Sequence, residues 1–292
     1  CAKGIMVPTI LNSDDEILIC DPEGEYAPMV EALMGDECAV IRVAAGGQDR
    51  LNAMYMVDGY GENDPIIVKS QFIMSLIEQI DSKGVGPQQK SIIDRCTAII
   101  YRDYMLGGCI AEPPTLKDFR EVLLQQSEVE AQDIALAIEL FTDGSLNTFA
   151  KQTNVDTDNR LICYDILDLG KQLMSIGMLV VMDSILNRIT QNRAKGKATF
   201  IFIDEIYLLF QHEYSANFLF TLWKRVRKYG AFATGITQNV DDLLQSHTAR
   251  TMLANSEFII MLNQASTDRI KLAELLNISD LQMSYITNVE AG

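Results

Sequence analysis

Two adjacent carboxylates, Asp204 and Glu205, follow a short apolar run, Phe200-Ile201-Phe202-Ile203. A run this short and this apolar reads as a strand buried on both faces of a parallel sheet. Acids placed just past the carboxyl end of such a strand lie where open α/β sheets bind ligands. One carboxylate there can hold a Mg²⁺ ion against the phosphates of a nucleotide, and its neighbour can orient or deprotonate an attacking water. The competing reading is a strand end that is merely solvated by Asp and Glu.

The residues that follow narrow the choice. Trp223-Lys224-Arg225-Val226-Arg227-Lys228-Tyr229-Gly230 is a basic helical stretch. Ala231-Phe232-Ala233-Thr234-Gly235-Ile236 then reads as a second buried strand, tipped by Thr237-Gln238-Asn239. In RecA-like motor ATPases a Gln at such a tip senses the γ-phosphate or positions water, and an Arg ahead of the strand reaches a neighbouring subunit's nucleotide as an arginine finger. Taken singly, the basic residues read as a solvated helix face and Gln238 as a hydrogen-bonded loop residue. An acidic pair, a basic helix and a Gln-tipped strand in this order are a more specific signal.

These groups need a core to hold them, and the composition supplies one. Of 292 residues, 48% are hydrophobic and 22% charged, near the globular average. The net charge of −16 lacks the electrostatic footprint of a non-specific DNA binder. Arg188, Arg193, Lys195 and Lys197 form one local cationic cluster and residues 224–228 another; the first reads as solvated helix ends and loops. Six cysteines form no CxxC pair and there are two histidines, which makes a zinc site improbable and reduced thiols the simplest reading. No run reaches the ~18 apolar residues of a membrane span. The most apolar long stretch, 173–185, is interrupted by Ser175, Gly177, Asp183 and Ser184, and reads as a buried or interfacial helix. The amino terminus has no signal-peptide pattern.

The elements that must position the site alternate. A helix over 1–11, kinked at Pro8, precedes a strand at 16–20, a turn at Asp21-Pro22-Glu23-Gly24-Glu25-Tyr26, a helix at 27–34 and a strand at 38–43. A helical block follows, at 66–80, 88–106, 116–125 and 129–141, with Thr115 and Ser127 as caps of the last two. Alternation resumes with a strand at 160–166, a long helix at 169–193, the strand 199–203, a helix at 215–229, the strand 232–237, a helix at 240–246 and a strand at 258–262. Helices at 267–276 and 279–285 come last. The pattern predicts an α/β chain with a mainly parallel sheet flanked by helices. It divides into a first sheet part (1–65), an inserted all-helical subdomain (66–140) and a second sheet part (141–292).

A nucleotide motor needs a GxxxxGK[ST] loop to cradle phosphates, and none is present. Two readings stay open: the chain is no ATPase, or it begins just after that loop. The order of elements favours the second, because a helix with no capping sequence comes directly before the strand 16–20. At this point the chain resembles the C-terminal motor domain of the conjugation and type IV secretion ATPases (VirB/TraC/TrwK-like), in the HerA/FtsK branch of RecA-like ATPases. The resemblance rests on Asp21 to Tyr26, Leu51-Asn52-Ala53-Met54, Gly144-Ser145-Leu146-Asn147-Thr148-Phe149, Phe200 to Glu205, Trp223 to Gly230, and Gly235 to Asn239.

The resemblance implies a RecA-like P-loop NTPase fold and ATP and Mg²⁺ as cofactors. It implies that Asp204 holds Mg²⁺ through water, Glu205 polarises the attacking water and Gln238 senses the γ-phosphate. Arg227 would be the trans-acting finger, with Arg225 as the alternative. Glu25 would lie near the same sheet edge, either as a catalytic group or as a turn residue stabilising the helix start. Asp21 reads as turn chemistry. The implied partners are other secretion components and further copies of the chain in a hexamer, although a fragment could be monomeric. The implied location is cytoplasmic, at the inner face of the cell membrane through partners. The other functions weighed are a DNA-translocating motor of the coupling-protein or HerA/FtsK type and a non-catalytic scaffold.

Overall fold

The computed structural model describes residues 2–33, 37–62, 64–81, 84–238, 240–262, 266–279 and 281–283. Cys1, Asn239 and part of the helix expected over 279–285 lie outside them. Five strands form one parallel sheet: β1 (Glu16–Asp21), β2 (Cys38–Arg42), β3 (Leu161–Asp165), β4 (Thr199–Ile203) and β5 (Ala231–Gly235). Their spatial order is β2-β3-β1-β4-β5. Side chains alternate across the pleat. Ile17, Ile19, Leu161, Cys163 and Phe202 face α1 (Ala2–Asn12) and α2 (Ala27–Ala32). Leu18, Cys20, Ile162, Tyr164, Ile201 and Ile203 join the larger core on the other side. Burial on both faces explains why β1, β3 and β4 read as unbroken apolar runs. β5 ends the sheet among the described residues, with Phe232 57% exposed, and is not the buried strand expected from its composition.

The larger core is built on α8 (Gly170–Lys195) and α9 (Glu213–Val226), over which α3 (Pro65–Ile80) packs. Among the described residues, α8 with the turn before it is long and apolar enough to cross a membrane, but 67% of its apolar window is buried inside. It is the buried helix that the interrupted apolar stretch implies. α4 (Pro87–Leu106), α5 (Leu116–Leu124), α6 (Val129–Ala137) and α7 (Glu139–Thr142) complete the helical block, and their apolar residues belong to the same core as α8. Thr115 caps α5 as expected, its hydroxyl accepting from the Asp118 N–H at 3.4 Å. Ser127 does not cap the next helix: Glu128 occupies that position without a side-chain cap. That helix also breaks at Ile138, into α6 and α7.

The carboxyl-terminal part departs further. Beyond α10 (Val240–Gln245) and α11 (His247–Ala254), residues 258–262 form no strand. Phe258 is 87% exposed and Ile260 and Leu262 are also open. The apolar run is strand-like by composition, but composition alone cannot supply a partner edge, and the described residues pair nothing with it. α12 (Ser266–Leu276) is a helix as expected.

Two buried polar networks tie the layers together. Lys69 on α3 is fully enclosed, and its ammonium donates to Asp183 Oδ2 (2.6 Å) and to the carbonyls of Tyr55 (2.9 Å) and Ala53 (3.1 Å). All three donors of the ammonium are thereby used. Tyr60 donates to the other Asp183 oxygen at 2.5 Å. Burial drives both members of the pair toward their neutral forms, Asp183 up and Lys69 down, and their mutual attraction opposes it. At the amino-terminal edge of the sheet, Glu16 accepts two 2.7 Å bonds from Arg188 and one of 2.6 Å from Asn192. Arg188 also pairs with Asp158.

In the first cationic cluster Arg193 and Lys195 are exposed at the end of α8, as expected of solvated helix ends, and Arg188 is the exception. Arg188 is buried, Arg193 pairs with Glu62, Lys195 with Asp158 and Lys197 with Glu16.

Candidate active site at the carboxyl edge of the sheet

The chain leaves β1 for α2 on one face of the sheet and leaves β4 for α9 on the other. A crevice between adjacent strands whose connections part in this way is where open α/β sheets bind ligands. Register fixes what lines it. Cys20 is level with Ile203, so the next residues, Asp21 and Asp204, end neighbouring strands, and Asp165 ends β3 beside Asp21. Three carboxylates thus stand in a row along the rim. Sequence reading located two of them but not Asp165, because only strand order brings β3 next to β1.

The rim is held by hydrogen bonds that continue the sheet. The Asp204 N–H donates to the Cys20 carbonyl at 3.1 Å, and the Ile236 N–H to the Ile203 carbonyl at 2.8 Å. Between them Glu205 adopts φ 46°, ψ 42°. A side chain other than Gly or Asn rarely occupies this left-handed region, and such strain concentrates at functional positions. The Glu205 N–H donates to Asp204 Oδ1 at 3.1 Å, and the Gln238 backbone N–H bonds the Glu205 carboxylate. The strand-tip residue Gln238 therefore reaches the acidic pair through its main chain. Its side chain is exposed.

Both carboxylates of the pair are buried. Burial pushes Asp204 up to about 6; the Glu205 N–H opposes this, and the charges of Glu25, Asp21 and Glu23 add to it. Glu205 is raised by burial first, then by Asp204 and Glu23. This is an excess of negative charge drawn to one place, which a divalent cation would neutralise. Among the described residues no three such groups converge as direct ligands. The carboxylate oxygens that are present are the ligand type of hard cations such as Mg²⁺.

Asp21 has a different role. It is buried, and its carboxylate accepts from the N–H groups of Glu25 (3.0 Å), Tyr26 (2.8 Å) and Ala27 (3.4 Å), closing the turn and capping α2 from a distance. This is the turn chemistry expected of it. Glu25 is exposed at the same edge, its carbonyl held by Lys3 at 2.7 Å and its carboxylate within electrostatic reach of Asp204.

The two arginines lie elsewhere. α9 ends in a short 3₁₀ turn, residues 227–229, and Gly230 at φ 67° reverses the chain into the start of β5. Arg225 and Arg227 thus sit ahead of β5, at the edge of the sheet opposite the acidic pair. Arg225 is half-buried, with Nη1 enclosed and unpartnered. The Arg227 side chain is 87% exposed and touches Glu257 at 3.5 Å. The fold brings Asp204, Glu205, Glu25 and the Gln238 backbone together, and it does not bring either arginine to them.

The family model of the TraG P-loop domain matches residues 119–291, more than half of the chain, and the chain belongs to that family. It is similar to the structure of VirB4 of Thermoanaerobacter pseudethanolicus, at 21% identity and a TM-score of 0.83, over 100% of this chain and 81% of that one. It is also similar to the bacterial conjugative coupling protein TrwBdeltaN70 in complex with sulphate, at 14% identity and a TM-score of 0.57, over 94% of this chain and 69% of that one. The plasmid coupling protein TrwB in complex with the non-hydrolysable GTP analogue GDPNP gives 15% identity and a TM-score of 0.58, over 94% and 70%. At these identities the likeness is one of fold: a parallel sheet flanked by helices, of the P-loop NTPase type. No curated protein matches the chain.

Proposed function

We propose that this chain is the motor region of an ATPase that energises conjugative transfer or type IV secretion. The observation that carries the reading is the buried, strained Asp204–Glu205 pair at the crevice between β1 and β4, in a chain of the TraG P-loop family. Mg²⁺, when bound with ATP, supplies charge neutralisation at the phosphates. Asp204 would hold it. Glu205 orients the attacking water and draws off its proton, for which a raised pKa suits it. Gln238 would read the γ-phosphate, and Glu25 would add negative charge beside Asp204. No GxxxxGK[ST] loop is among these 292 residues, and the phosphate cradle is assigned to none of them.

Arg227 acts on the nucleotide of an adjacent copy. Its exposure supports Arg227 over the half-buried Arg225. The assembly is a ring, by the family's habit a hexamer, attached at the inner face of the membrane through other secretion components. The helical insert, residues 66–140, meets those components or the substrate. The coupling-protein reading draws on the TrwB likeness, but its TM-score is below that for VirB4 and the net charge of −16 weighs against a DNA pump. A non-catalytic scaffold would not need a strained acidic pair.

The test is Glu205→Gln in the full-length protein. Turnover falls by at least a hundredfold while ATP binding, followed by fluorescent-nucleotide titration, stays within a few-fold. Turnover close to that of the unaltered protein removes Glu205 from the mechanism.

A further inference from the structure

The helical insert carries an apolar surface that its own core leaves uncovered. α6 is apolar on two sides. Ala131, Ile134 and Ala135 are buried, whereas Val129 is 71% exposed and Leu136 is 68% exposed. These two stand seven residues apart, about two turns, and so share one side of the helix. Leu140 follows one turn on, in α7, and is also exposed. The end of α5 lies beside the same side. The Gln132 amide, placed between Val129 and Leu136, donates to the carbonyls of Gln126 (2.8 Å) and Leu124 (3.3 Å). Leu124 is itself exposed and joins the stripe. Scattered exposed leucines are ordinary on any protein, but a stripe at helical spacing marks a contact surface.

Charge narrows the class of the occupant. Residues 112–143 hold eight acids and two bases. Both bases are spent inside the insert: Arg120 pairs with Glu139 (3.0 Å) and Asp143 (3.3 Å), and Lys117 with Asp143 (3.1 Å). Glu121, one turn before Leu124, and Asp133, between Val129 and Leu136, are exposed and form no ion pair among the described residues. An acidic margin around an apolar stripe repels an anionic bilayer or a nucleic acid. It also repels the same stripe on a second copy set face to face with it. An amphipathic helix offers such a stripe apolar anchors three and four residues apart, and lysines or arginines on its flanks meet Glu121 and Asp133. We propose that the α5–α7 surface of the helical insert docks a basic amphipathic helix of another protein. Docking there rests on the insert's proposed role as the part that meets other components or the substrate. It does not depend on turnover at Asp204 and Glu205.

Fluorescence anisotropy with a labelled leucine–lysine peptide, its leucines spaced three and four residues apart, tests this on the full-length protein at physiological salt. A leucine–glutamate peptide of the same spacing is the charge control. The lysine peptide binds and the glutamate peptide does not. Val129→Ser with Leu136→Ser weakens binding roughly tenfold or more, and so does Glu121→Lys with Asp133→Lys. All four side chains face outward, so circular dichroism melting stays unchanged in both variants. Asp14→Lys with Glu274→Lys makes the same charge change at exposed positions outside the insert. It leaves the affinity within about twofold, because it acts only through long-range, screened charge. Absence of binding, affinity that survives Val129→Ser with Leu136→Ser, or equal weakening by the Asp14 and Glu274 changes would overturn the proposal. Self-association in sedimentation velocity that Val129→Ser with Leu136→Ser abolishes would give the stripe to a second copy and overturn it too.

Discussion

Asp204, the proposed cation-binding carboxylate, works against its own fold. Its pKa is raised in the folded chain, to about 6, so the ionised form is favoured less there than in the unfolded chain. Such a group lowers stability above its folded pKa, and the penalty fades as pH falls toward its ordinary value. Asp204→Asn removes the charge and keeps the shape. We expect it to raise Tm by about 2–4 °C at pH 7.5 in cation-free buffer, for a gain on the order of 1 kcal/mol. Differential scanning calorimetry checks this, and a lower Tm would show that the carboxylate is paired in the fold. The acidic pair was legible in the sequence because an apolar run ending in two acids is unusual. The main-chain bond from Gln238 to Glu205 was not, since it requires the β4 and β5 tips to be side by side.

At the scale of elements, the site depends on a close approach. A Cβ added at Gly235 would lie 2.7 Å from Ile206 Cδ1, directly after the strained Glu205 turn. Gly235→Ala therefore forces the tip of the buried Ile206 side chain to shift beside the turn. Urea unfolding should show a loss of about 1–3 kcal/mol, and nucleotide turnover in the full-length protein should fall with it. Full retention of both would mean that Ile206 re-packs freely. The Lys69–Asp183 pair fixes α3 against α8 in a different way. Lys69→Met leaves a buried carboxylate without its cation and should cost about 3–5 kcal/mol. Lys69→Met with Asp183→Leu should recover part of that loss, because no charge is left buried but the Tyr60 hydroxyl and the Ala53 carbonyl lose their partners. The helices themselves were predictable from apolar periodicity and capping residues such as Thr115. Their buried ion pairs were not. A lysine in an apolar helix and a glutamate opening an apolar strand were the only local signs of Lys69–Asp183 and Glu16–Arg188.

On the proposed mechanism, the whole molecule separates its chemistry between two edges of one sheet. The acidic pair is at the carboxyl edge, and the exposed Arg227 is ahead of β5 at the other. A single copy cannot join them without unfolding, so catalysis that uses both requires contact between copies. Turnover per subunit in the full-length protein should rise with protein concentration, and Arg227→Ala should lower it by 10³-fold or more, the usual weight of an arginine finger. A small effect in Arg227→Ala, with concentration dependence intact, would shift the role to another residue.

The sequence by itself determined the five strands of the sheet, most of the helices and the identity of the acidic pair. These follow from local patterns: runs buried on two faces, 3.6-residue periodicity, and acids at a strand end. Tertiary structure decided what depends on neighbours distant in the chain. It placed Asp165, Asp21 and Asp204 in one rim and buried Arg188 against Glu16. It left residues 258–262 unpaired despite their composition. Strand order, register and enclosure arise from packing of the whole chain, and no window of the sequence contains them.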